Sequence, residues 1–214
     1  TLHETIPNFH NTVKRFADFK KAVEEDACGR AADVQKEIQF VLEREQLAHT
    51  LVDLQDAGKL PLRVTHNDTK LNNIMIDLET GKGICVVDLD TVMPGLAMND
   101  FGDAIRFGAS TALEDEKDLS KVSCDMELYE IYVKGFLESC GDKLNAREIE
   151  MLPMGAKVMT YECGIRFLTD YLEGDHYFKI DREDHNLDRC RTQFKLVADM
   201  EQKWEQMQAI VKKY

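Results

Sequence analysis

The sequence predicts an α+β fold that is mostly α, a helical body carrying one small β-hairpin. Apolar residues recur at spacings of three and four through most of the chain, the mark of helices with one buried face. Against that pattern, the stretch from Arg63 to Asp90, RVTHNDTKLNNIMIDLETGKGICVVDLD, contracts to two short apolar runs around a polar turn. A chain of 214 residues with 43% hydrophobic and 31% charged content can bury one sizeable core. No internal repeat or low-complexity segment divides it, so residues 1–214 are expected to form a single domain.

Taken in order, residues 1–12 (TLHETIPNFHNT) hold a proline and few helix formers, and read as a leading loop. Asn11 or Thr12 can cap the helix that follows, in which Val13, Phe16, Phe19 and Val23 form an apolar stripe to about Ala27. Cys28-Gly29-Arg30 breaks the pattern. A second helix is expected from about Ala31 to Ala57, ~27 residues or ~40 Å long, ended by Gly58 and Pro61. A polar loop then leads into strands at 74–77 and 83–88, joined by the turn Glu79-Thr80-Gly81-Lys82. Pro94-Gly95 bends the chain into a short helix near 99–109, on whose surface Asp103 and Arg106 can pair. Asp100, near its start, can cap it or hydrogen-bond the polar loop. Residues 110–122 are charged and read as a mobile excursion. Helices follow at 125–139, from Asn145 (a capping-box outline with Glu148) through LPMGAKVMTYECGIRFLTDYL, and at 186–214. The second of these is apolar nearly all round and therefore expected at the centre. Trp204 is expected in the core.

The chemistry concentrates in the hairpin. Counting back from the turn pairs position 78 with 83 and 73 with 88, which makes Asn73 and Asp88 neighbours and lets Asp68 converge on them. Two oxygen donors and a third carboxylate are what phosphoryl transfer requires: Asn73 and Asp88 to hold Mg²⁺, Asp68 to orient the attacking hydroxyl. His66, Asp68 and Asn73 satisfy the spacing HxDxxxxN, and with VDLDT they resemble the catalytic loop and metal-binding Asp of the aminoglycoside phosphotransferase and choline kinase superfamily. The runs HNDTKLNNIMID, CVVDLDTVMPG and NDFGDAIRF are similar to those of the N-acetylhexosamine 1-kinases. The resemblance is strongest over 63–108 and 160–200. It implies the helical C-terminal lobe of a protein-kinase-like fold, ATP and Mg²⁺ as cofactors, Asp68 as catalytic base, and Asn73 and Asp88 as metal and nucleotide ligands. It also implies sugar contacts at Thr91, Arg166 and Tyr177, and makes His3, Glu4 and Asn11 further candidates. For Arg166 a core carboxylate is an equal alternative, since a cation in an apolar helix needs a partner. His66 is expected to pack and hydrogen-bond rather than react. Asn67 stands where protein kinases carry an Arg that grips a phosphorylated loop, which points to a small-molecule kinase.

Composition narrows the field further. A net charge of −13 disfavours nucleic acid as partner, and locally bound Mg²⁺ can still make the site fit for a nucleotide. No apolar run approaches the roughly 20 residues that cross a bilayer, no signal segment is recognisable, and the six cysteines are scattered without a metal or disulfide framework. A cytoplasmic protein with reduced thiols is expected. Nothing before residue 63 resembles a glycine-rich phosphate loop or offers the strand Lys that pairs with phosphates, and the chain begins at Thr1. The N-terminal nucleotide lobe is therefore expected to be absent from this chain, and the chain alone to be inactive. Two other functions stand beside the sugar kinase: a kinase of the same fold for an aminoglycoside, choline or homoserine, and a kinase-like binding module without catalysis.

Overall fold

The computed structural model describes residues 2–214 and is mostly helical, with two two-stranded antiparallel sheets. Helix α1 (Thr12–Glu25) starts where Asn11 accepts from the Lys14 amide and buries Phe16, Phe19 and Ala22. The single helix expected over 31–57 is not formed. A 3₁₀ turn (Ala31–Val34) leads into α2 (Gln35–Leu42), and α3 (Glu45–Asp56) follows after a break. Four consecutive polar residues, Glu43 to Gln46, interrupt the apolar stripe there, and the two halves bury against different neighbours. Phe40 of α2 stacks on Phe194, whereas α3 packs on α1 and on the long helix α7 (Leu152–Glu173). Arg44, at the break, lies over the Phe40 ring and forks onto Glu201.

Strand β1 (Arg63–Thr65) pairs with β4 (Met93–Gly95), a sheet that the sequence did not announce. β2 (Ile74–Ile76) and β3 (Gly83–Val86) form the expected hairpin in a different register: Ile74 faces Val86, Met75 faces Cys85, and a bulge precedes the Ile76–Gly83 pair. The cause is Asp77. Its carboxylate takes the amides of Glu79 and Thr80 while its own amide bonds to the Lys82 carbonyl, so the turn closes earlier in the first strand than a turn centred on Thr80-Gly81 would. Asn73 consequently faces Val87, whose amide reaches the Asn73 carbonyl at 2.9 Å, and not Asp88.

Helix α4 (Ala97–Gly108) lies across α7, and their closest approach is made by Gly102 and Gly155. A Cβ on Gly102 would run into the Gly155 carbonyl, and one on Gly155 into the Met98 carbonyl. Asp125 caps α5 (Met126–Cys140). The capping box at Asn145 and Glu148 forms, but it opens only a short α6 (Ala146–Glu150). Pro153, which lacks an N–H and suits a first turn, restarts the chain as α7. Gly174, in the left-handed region, ends α7. The last expected helix is likewise divided, into α8 (His185–Gln202) and α9 (Trp204–Lys213), at Lys203, whose ammonium turns back to Asp199, Ser123 Oγ and the Cys124 carbonyl. Helix α7 contacts α1, α3, α4, α8 and α9, the central place that its all-round apolar surface predicts. Trp204 packs against the core, with the Lys157 ammonium 4.2 Å from its ring centre.

Candidate active site

The loop between β1 and β2 is held from three sides. His66 fixes its own tautomer: Nδ1 accepts from the Asp68 amide at 3.3 Å, so the proton is on Nε2, which donates to the Val87 carbonyl at 3.0 Å. The imidazole thus ties the loop to the end of β3. Asn67 is buried in the left-handed region (φ 66°), a conformation that costs a non-glycine residue roughly 1–2 kcal/mol. Its surroundings hold it there. The Asn67 amide donates to Asp100 at 2.7 Å and its carbonyl accepts from His10 at 2.8 Å. Its side chain bonds to Thr65 and to the Thr91 carbonyl.

Asp100 accepts both the His66 and Asn67 amides through one carboxylate, and Thr69 donates to its carbonyl. Of the two roles open to Asp100, holding the loop is the one it takes. Burial pushes its carboxyl up despite these amides, so its charge is retained there at a cost.

Asp68 emerges from this scaffold half-buried. Its Oδ2 accepts from Lys70 Nζ at 2.9 Å and from Asn73 Nδ2 at 2.8 Å, which leaves Oδ1 uncommitted. Burial works to raise the carboxyl, but Lys70 and Asn73 outweigh it and hold Asp68 below the usual carboxylate range. Such a group remains ionised and orients a hydroxyl better than it deprotonates one.

Asn73 spends its amide nitrogen on two acceptors of residue 68, the carbonyl and the carboxylate, which fixes the amide and leaves Oδ1 uncommitted. Asp88 is exposed and adopts the left-handed conformation (φ 61°), which re-aims it as it leaves β3. It adjoins Val87, the residue bonded to Asn73. The sequence-derived register was wrong by one residue, yet Asp88 is not turned into the core. An amide oxygen and a carboxylate are hard donors of the kind Mg²⁺ prefers, so in chemistry Asn73 and Asp88 suit an ion that draws its other ligands from phosphates and water. Among the described residues no three His, Cys, Asp or Glu side chains are grouped to hold a metal by themselves.

Asp68, Thr91, Arg166 and Tyr177 line one cleft of about 450 Å³. The Thr91 hydroxyl donates to the His66 carbonyl at 2.6 Å, so it braces the loop as well as facing the cleft. The Arg166 guanidinium lies 5.4–5.6 Å from the ring centres of Phe9, Tyr177 and Phe178 and donates to Tyr177 Oη at 3.3 Å. An aromatic cage, not a core carboxylate, is its immediate partner.

Other expectations change. In the leading loop, Glu4 accepts from the Asn8 amide, Asn11 caps α1, and His3 is exposed; Phe9 and His10 reach the cleft instead. Asp103 and Arg106 do pair, but in the interior, where Arg106 Nε and Nη2 bind one Asp103 oxygen and Nη1 binds Glu114 at 2.5 Å. The charged segment 110–122 is consequently tethered: Glu114 holds Arg106, Asp115 receives Arg182, and Thr111 bonds to Ser123.

Lys70, His10 and Glu162 escaped the sequence reading. Lys70 was visible two residues after Asp68. The His10–Glu162 pair joins residues 152 positions apart, and no local pattern announces it.

With this geometry in place, comparison with known families is informative. The family model described as APH, phosphotransferase enzyme family, matches residues 1–127, more than half of the chain and the whole of the loop-and-hairpin unit.

Proposed function

The chain belongs to the phosphotransferase enzyme family, and from that premise we propose that it serves transfer of the γ-phosphoryl group of ATP to the anomeric hydroxyl of an N-acetylhexosamine. The observation that carries this reading is the shared cleft. Asp68, the proposed base, and three candidate sugar contacts, drawn from the hairpin region, α7 and the loop after it, face one volume large enough for a monosaccharide. Asp68 Oδ1 receives the proton side of the acceptor hydroxyl, and Lys70 keeps the carboxylate charged. Arg166 and Tyr177 offer donors to the sugar ring. Mg²⁺ on Asn73 and Asp88, when bound with ATP, neutralises charge on the transferring phosphoryl oxygens.

A cationic acceptor such as choline or an aminoglycoside finds less support. The overall charge is strongly negative, but the cleft is lined by five Lys or Arg against four Asp or Glu, and Arg166 lacks an acidic partner. That balance suits a neutral polyol and an anionic donor.

The nucleotide lobe belongs to the same proposal. The β2–β3 ribbon is exposed along both strands and apolar: Ile74, Met75, Ile76, Ile84 and Val86, with Leu78 at 98% exposure in the turn. An adenine ring and a further lobe, outside this chain, would cover that surface, and the chain alone is expected to be catalytically inactive.

Phosphorus NMR of the complete protein's products with ATP, Mg²⁺ and N-acetylglucosamine or N-acetylgalactosamine tests the reading. The expected product is an anomeric sugar phosphate. Phosphorylation of choline, homoserine or an aminoglycoside in preference, or no transfer to any acceptor, would overturn it.

A further inference from the structure

His10 and Glu162 pack against the catalytic loop at the edge of the cleft, and the proposed reaction gives them no chemical step. The His10 ring has two contacts and both are with acceptors. Nε2 is 2.8 Å from the Asn67 carbonyl and Nδ1 is 2.8 Å from Glu162 Oε1. A carbonyl can only accept, so Nε2 carries a proton. The Nδ1 contact needs a second one, supplied by either His10 or Glu162. Thr12 Oγ1 donates to the other Glu162 oxygen at 2.5 Å, which satisfies the carboxylate as an anion. Both side chains are nearly closed to solvent, at 8% and 1% exposure.

We infer that His10 is a positioning residue for phosphoryl transfer: as an imidazolium clamped between Glu162 and the Asn67 carbonyl, it fixes the left-handed peptide that immediately precedes Asp68. This rests on the phosphotransferase reading and adds to it the element that sets the height of the catalytic carboxylate. The logic is mechanical. Asn67 is held in a conformation it would not choose, by Asp100 on its amide and by His10 on its carbonyl. Release of either end lets the peptide relax and swings the attached Asp68. A displacement of about 1 Å at a reacting group can cost 10²-fold in rate.

The surroundings decide whether the clamp holds its proton. Glu162 and Arg166 face the pair from α7, Arg15 from α1, Asp100 from α4, and His66 and Asp68 from the loop. Of these groups Glu162 is in direct contact with the ring. Burial alone would raise the Glu162 carboxyl, but His10 and Thr12 hold it low. Without a proton between them, a bare nitrogen would face a carboxylate oxygen at hydrogen-bond distance and the clamp would open.

Two measurements on the complete protein test this, one of them independent of catalysis. Nitrogen NMR of the histidine rings should find both nitrogens of His10 protonated at neutral pH. His10→Ala should lower kcat by about 10²-fold while KM for ATP and for the sugar changes little. His10→Gln, whose amide can still donate to Asn67, should recover part of kcat. Should the alanine variant fail to fold, the glutamine variant and the nitrogen spectra decide. A bare Nδ1 at neutral pH, or a His10→Gln variant no more active than His10→Ala, would refute the clamp. A wild-type protein that transfers phosphate to no acceptor would instead remove the proposed function, and the nitrogen spectra would still report on the clamp.

Discussion

At the scale of single residues, the site is an exercise in holding charge where burial opposes it. Asp68 is the clearest case, because the opposing forces and their winner can be named: burial raises the carboxyl, and Lys70 and Asn73 lower it by more. A carboxyl depressed by folding contributes stability above its unfolded-state value, near 3.9 for Asp, and loses that contribution as the pH falls through the folded value. Replacement Lys70→Met leaves burial without its main opponent, so the Asp68 carboxyl should move up and the acid limb of kcat should shift to higher pH. The pH profile of the complete enzyme checks this, and an acid limb in its wild-type position would exclude Lys70 as the group that keeps Asp68 charged. Residue-scale contacts were legible in the sequence where they are local. HxDxxxxN marked Asp68 and Asn73, and the bland role of His66 agrees with its two backbone contacts. Partnerships across the chain were not legible, because His10–Glu162 and Arg63–Glu148 depend on how α1, α6 and α7 pack.

At the scale of elements, apolar periodicity located the helical regions but not their breaks. The break between α2 and α3 follows from which neighbour each half buries, and that is a property of the packed state. The hairpin illustrates a finer limit. Its existence was readable, but Asp77 captured the turn, and the strand pairing slipped by one residue. In a regular strand such a slip would send Asp88 to the opposite face. The left-handed backbone at Asp88 breaks the alternation, so the slip does not by itself decide where its carboxylate points. The element contact that matters most for the site is α4 against α7, since α4 carries Asp100 and α7 carries Glu162 and Arg166. Gly102 and Gly155 let the two backbones approach. Gly155→Ala should therefore overpack this seam, at a cost of about 1–3 kcal/mol. Thermal unfolding should register it as ~2–4 °C in Tm for each kcal/mol in a chain of this size. Because α4 would be displaced together with Asp100, kcat in the complete enzyme should fall as well. A variant with unchanged Tm would mean that the helices can separate at no expense.

At the scale of the whole molecule, the chain divides into a stiff part and a loose one. A continuous buried cluster joins α1 through α9, with α7 at its centre, whereas β2 and β3 make an isolated two-stranded ribbon whose side chains face solvent along both strands. Two strands without a packed face are marginal in water, so the ribbon depends on its anchors: the His66–Val87 and Asn73–Val87 bonds at one end and the Asp77 turn at the other. Among the described residues no helix is long and apolar enough to cross a membrane, so a bilayer-spanning helix does not explain the exposed apolar side chains. A covering lobe with its nucleotide is the occupant we propose, and it would make order in Asp88, the proposed metal ligand, a consequence of assembly. Hydrogen exchange should separate the two parts. In this chain alone the amides of 74–76 and 83–86 should exchange through local openings that cost a small fraction of global unfolding, while the middle of α7 should open only globally. In the complete protein with Mg²⁺ and a non-hydrolysable ATP analogue the ribbon should become protected and α7 should change little. Protection of the ribbon already equal to that of α7 in the chain alone would show that nothing needs to cover it, and the argument for a nucleotide lobe seated on this surface would fail.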